Sequence, residues 1–162
     1  QNCNKELISW MKTDYYRFGR EWCYKYSRRA IICEELLEDE NGQIPADYKF
    51  FCFNGKVKYI QVDFDRFTNH SRAFYTIDWE KQDFTLDYPL YEGDVPRPIN
   101  LDEMIDMAGK LTSALLFCRV DLYALPEIKF GEMTFYPGSG QEVFEPHHYD
   151  RVFGDLLMLS RQ

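Results

Sequence analysis

Residues 119–140 read RVDLYALPEIKFGEMTFYPGSG. The reading that decides the fold is two strands joined by a tight turn at Pro126 and Glu127. Pairing across that turn sets Leu125 opposite Ile128, Asp121 opposite Glu132 and Arg119 opposite Thr134. Residues two apart on a strand share a face, so Arg119, Asp121, Glu132 and Thr134 share one. Two carboxylates placed directly opposite each other repel and weaken a sheet. The arrangement therefore calls for a positive charge between them. A divalent metal is the candidate, and oxygen-only ligation suits Mg²⁺ or Mn²⁺.

Working outward, residues 47–57 (DYKFFCFNGKV) and the strand-like run after them flank Asn54-Gly55. That pair predicts a type I′ hairpin, because both central residues need positive φ. Residues 71–79 are a further strand candidate. Asn100 is read as a helix cap with Glu103 at the capping-box position. Leu101, Met104, Ile105, Ala108, Leu111 and Leu115 follow at helical spacing. Residues 4–16 read as a short amphipathic helix, residues 17–28 as irregular, basic and aromatic, and residues 29–37 as a buried strand. Residues 86–99 read as a loop, and residues 149–159 as a final helix. The expected class is α+β, with a largely antiparallel sheet and helices packed on one side.

The 45% hydrophobic and 17% aromatic content supports a packed single domain over residues 1–162. The formal charge of −8 argues against a general nucleic-acid binder. No apolar run of about eighteen residues predicts a membrane span, and no signal peptide is visible. Five scattered cysteines, three of them in apolar strand-like runs, suggest buried free thiols and a cytoplasmic location.

Other polar groups have plainer readings. Asp47 and Lys49 share a strand face as a surface ion pair. Asp63, Asp65 and Arg66 end a strand. His70 is a lone loop residue, and the adjacent His147 and His148 point apart. The Gly-rich turn at 137–140 can offer backbone N–H groups to an anion.

Several motifs recur here in a specific order: IICEELL at 31–37, DYKFFCFNGKV at 47–57, RVD at 119–121 and GEMTFYPGSG at 131–140. With RFGREWCYK at 17–25 and QVDFDRFTNH at 61–70, the chain resembles the TupA-like ATP-grasp family, associated with cell-surface polysaccharide biosynthesis. The resemblance runs from about residue 9 to about residue 159 and implies the carboxy-terminal part of an ATP-grasp fold.

It implies roles as well. Glu34, Glu35, Leu36 and Leu37 match the hinge that binds adenine, and Asp47 the acid that binds ribose hydroxyls. Lys49 and Arg66 resemble basic residues near the phosphates or the acceptor. Asp121 and Glu132 match the magnesium carboxylates. Thr134 stands where most members of the superfamily carry Asn, a longer ligand. Arg119 matches the residue that contacts phosphate or the acylphosphate, and Gly138, Ser139 and Gly140 the acceptor turn. The implied activity is a carboxylate–amine ligase using ATP and Mg²⁺ on a surface-glycan precursor. A catalytically incomplete nucleotide-binding module and a glycosyltransferase component using a sugar nucleotide are the alternatives. Only about thirty residues precede the hinge, without the expected lysine-bearing Gly-rich loop. A separate amino-terminal lobe is therefore an expected partner, and the stretch alone is expected to fall short of independent catalysis.

Overall fold

The computed structural model describes residues 3–65 and 69–159. Five antiparallel strands form the main sheet: β1 (Asp47–Phe53), β2 (Lys56–Phe64), β3 (Ser71–Tyr75), β5 (Phe117–Tyr123) and β6 (Lys129–Thr134), in the order β3-β2-β1-β5-β6. A two-stranded ladder joins β4 (Thr85–Leu86) to β7 (Phe144–Glu145). The helices are α1 (Cys3–Lys12), α2 (Tyr16–Gly19), α3 (Leu101–Leu111) and α4 (His148–Asp155). The α+β class and the antiparallel sheet are as the sequence predicts. No helix among the described residues is long and apolar enough to cross a membrane.

The sheet has two unlike faces, set by strict alternation along β1. Phe50 and Cys52 point to one face and join Ile60, Val62, Ala73, Val120 and Leu122 in a core closed by Leu101, Met104 and Ala108 of α3. Each fully buried side chain of this size contributes roughly 1.5–3 kcal/mol. Phe51 and Phe53 point to the other face, where Phe74, Phe84, Leu86 and Phe153 of α4 form a second, aromatic cluster. That cluster covers only one end of its face. Asp47 and Lys49, earlier on the same alternating strand, mark the other end, which is polar. An apolar end and a charged end thus share one sheet surface.

Asn54 and Gly55 adopt the expected positive φ, 50° and 73°. The β5–β6 connection differs from the expected tight turn. Tyr123 pairs with Lys129, leaving residues 124–128 as a five-residue loop, and the ladder slips between Asp121 and Leu122. Gly131 is the extra residue of that bulge. The slip cancels the longer loop, so Asp121 still faces Glu132 and Arg119 still faces Thr134.

Four further expectations are corrected. Residues 29–37 form no strand; Ile31, Ile32 and Leu36 are exposed, and so is Cys33. An apolar run becomes a strand only where an edge pairs with it and a face covers it, and no ladder among the described residues includes this one. Only Cys52 and Cys118 are buried thiols. Asn100 makes no side-chain cap; its amide donates to the Leu125 carbonyl at 3.0 Å, tying α3 to the β5–β6 loop. The helix ends at Leu111, which is exposed, and Thr112 takes the buried position with its hydroxyl on the Ala108 carbonyl at 2.8 Å.

Candidate functional site

The polar end of the sheet is built by register. β1 pairs with β5 so that Lys49 lies beside Asp121, and β5 pairs with β6 so that Asp121 lies beside Glu132. Lys49 Nζ donates to Asp121 Oδ2 at 2.7 Å and also to Asp47 Oδ2. Arg119 Nε and Nη2 grip Asp121 at 2.7 and 2.8 Å, a bidentate pair. The same Nη2 reaches Glu132 Oε1 and Thr134 Oγ1, each at 3.1 Å. Thr134 Oγ1 in turn donates to Glu132 Oε1 at 3.1 Å.

The positive charge that the facing carboxylates require is therefore present in the chain itself, as Arg119 with Lys49 behind it. Burial opposes the charge on the Arg119 guanidinium, but the hydrogen bonds and field of Asp121, with Glu132 and Glu142, outweigh it and raise its pKa. The Asp47–Lys49 pair, a surface ion pair by sequence, is buried. On the rear of β5, burial and the neighbouring Asp121 push the Cys118 thiol up to about 11, so it stays protonated.

Depth separates the two carboxylates. Asp121 is almost wholly buried, whereas the Glu132 side chain is 63% exposed. Both line one cleft of about 700 Å³, along with Glu34, Glu35, Leu36, Leu37, Asp47 and Lys49. Residues as far apart in sequence as Glu34 and Glu132 are thus brought to a single space. Ile44, Pro45, Tyr123, Lys129, Phe130 and Gly131 complete the lining. Sequence reasoning did not single out these six for the site. The alternation of Tyr123 with Asp121 is the signal that could have found the first.

Mg²⁺ is usually held by one or two carboxylates plus phosphate oxygens and water, not by an all-protein cage. Asp121 and Glu132, with the Thr134 hydroxyl, fit such a partial donor set. Among the described residues no group of three or more His, Cys, Asp or Glu converges as a metal cluster.

The expected acceptor turn lies elsewhere. Gly138, Ser139 and Gly140 do not line this cleft; they form a tight turn with φ of 52°, 57° and 69°. Ser139 Oγ donates to Glu21 Oε1 at 2.7 Å. Arg66 lies outside the described residues.

A second buried network was missed. Asp63, expected at a plain strand end, accepts from Arg72 Nε and Gln61 Nε2, each at 2.8 Å. Arg72 also pairs with Glu142 at 2.9 Å. His70 is not solitary: its Nε2 lies 3.4 Å from Asp63 Oδ1 and its ring packs on Tyr88.

A sequence model of the family described as TupA-like ATPgrasp matches residues 1–158. No curated protein and no solved structure matches the chain.

Proposed function

The chain belongs to the TupA-like ATP-grasp family, and from that membership we propose that it serves as a carboxylate–amine ligase of cell-surface polysaccharide biosynthesis. The observation that carries this reading is the single cleft shared by residues 34–37, Asp47, Lys49, Asp121 and Glu132.

In this reading the backbone and acids of Glu34, Glu35, Leu36 and Leu37 hold adenine, and Asp47 the ribose. Lys49 and Arg119 face the phosphates, and the family resemblance gives Arg66 a role at the phosphates or the acceptor. Asp121, Glu132 and Thr134 are the ligands for Mg²⁺, and Mn²⁺ suits the same oxygens. The ion supplies charge neutralisation on the phosphate oxygens. The γ-phosphoryl group passes from ATP to an acceptor carboxylate, releasing ADP and leaving an acylphosphate. The Arg119 guanidinium stabilises the charge on the moving group. An amine then attacks the acyl carbon, phosphate departs, and the amine nitrogen loses a proton to give an amide. Gly138, Ser139 and Gly140 shape the acceptor side, and a uronic acid of a glycan precursor is the acceptor class.

The test is calorimetric binding of ATP with and without Mg²⁺ to the parent and to Asp121→Asn and Glu132→Gln. The expected result is Mg²⁺-dependent binding that both substitutions weaken at least tenfold, about the effect of one charge-assisted contact. Unchanged binding in both variants would sink the metal assignment. Sugar-nucleotide consumption without ATP would favour a glycosyltransferase component instead, and binding without phosphate release a nucleotide-binding module.

A further inference from the structure

Residues 15–29 carry six aromatic rings and five cationic side chains against one carboxylate, Glu21. The stretch is +4 in a chain of formal charge −8. Its rings are not spent on the core: Tyr15, Phe18, Trp22 and Tyr26 are between 60% and 82% exposed. Lys25 Nζ sits instead over two of them at the surface, 4.0 Å from the Trp22 ring centre and 5.1 Å from that of Tyr26. The one carboxylate is turned inward, where Glu21 is buried and takes the Ser139 hydroxyl. Asp14, just before the segment and in the same groove, pairs with Arg17 at 3.0 Å and with Arg29. The outer face is therefore aromatic and net cationic, with Arg20, Lys25 and Arg28 carrying the excess charge.

We propose that this segment is a docking surface for an anionic membrane face. Trp and Tyr rings favour the headgroup level of a bilayer, and clustered Arg and Lys draw acidic lipids. A single-stranded polyanion would also suit rings and cations, but the neighbouring side chains decide against it. Ile31 and Ile32, 53% and 77% exposed, line the same groove as Trp10, Tyr15, Lys25 and Arg28. Aliphatic side chains offer no ring for a base to stack on, yet they partition into the acyl boundary. The acidic remainder of the chain also repels a long polyanion, whereas a bilayer touches only the face laid against it.

The patch is fastened to the Gly-rich turn. Beyond the Glu21–Ser139 bond, a Cβ on Gly19 would fall 2.1 Å from Ser139 Oγ, so only glycine permits the approach. Docking would hold that turn beside the bilayer. If residues 138–140 shape the acceptor side, as proposed above, the acceptor is carried on a lipid; this corollary alone rests on that reading.

The experiment is vesicle co-sedimentation without nucleotide, using phosphatidylcholine vesicles with and without phosphatidylglycerol, so its outcome is independent of the ligase reading. Binding is expected only with phosphatidylglycerol and falls as salt rises. Arg20→Gln and Arg28→Gln each lower the partition coefficient about fivefold, with an unchanged thermal midpoint. Trp22→Ala lowers it at every salt concentration. Equal binding to both vesicle types, no loss in the double neutralisation, or capture by single-stranded RNA but not by vesicles would overturn the proposal.

Discussion

Lys49 donates to Asp121 across 2.7 Å between neighbouring strands, and the two side chains are only 5% and 4% exposed. Charges this deep survive because each is answered. Lys49 has Asp47 and Asp121, and Asp121 has Lys49 and Arg119. Taking one partner away is costlier than the pair is worth, since the other charge stays buried. Lys49→Met should therefore destabilise the fold by about 3 kcal/mol, read as a lower urea midpoint with an unchanged slope. A loss under about 1 kcal/mol, the figure for a surface pair, would mean that water reaches the site.

The bulge at Gly131 is what keeps Glu132 on the cleft side. Its position is crowded: a Cβ there would meet the Asp121 carbonyl at 3.0 Å and the Tyr123 ring at 3.2 Å. One of these is backbone and cannot swing aside. Gly131→Ala should cost roughly 1–3 kcal/mol, as small-to-large changes in packed sites do. Because a one-residue slip turns a strand over, the same substitution should weaken Mg²⁺-dependent ATP binding as strongly as Glu132→Gln. Wild-type stability in the variant would show that the strand moves freely at this point.

How far the sequence could be read follows the range of the interactions. The DYKFFCF alternation and Asn54-Gly55 are local, and β1–β2 formed as expected. The facing of Asp121 and Glu132 was legible although the turn was not, because the five-residue loop and the bulge cancel. Residues 29–37 misled because β-branched apolar composition says nothing about whether a sheet edge is available to pair with. Asp63 looked like an ordinary strand end because its meeting with Arg72 depends on β2–β3 register, which sets the two directly opposite. The depth of Asp47 and Lys49 was likewise invisible, since alternation assigns a face but not what covers it. Phe130 reaches the cleft only through the ladder that the bulge displaces.

Asp63 makes the fold's acid response specific. Burial works to raise its pKa, but Arg72, the Gln61 amide, Lys49 and His70 together outweigh it and hold the carboxylate below its ordinary value. A group whose pKa is depressed by folding adds stability that is fully present above its unfolded pKa, near 4. That stability is lost as pH falls through the folded value. The urea midpoint should therefore decline between about pH 5 and pH 3. Asp63→Asn should be less stable than the parent at neutral pH, because among the described residues Arg72 keeps only Glu142 and the Leu86 carbonyl as hydrogen-bond partners. The same variant should lose less on acidification, so the two curves converge at low pH. Parallel curves across that window would place the acid response elsewhere in the charged face.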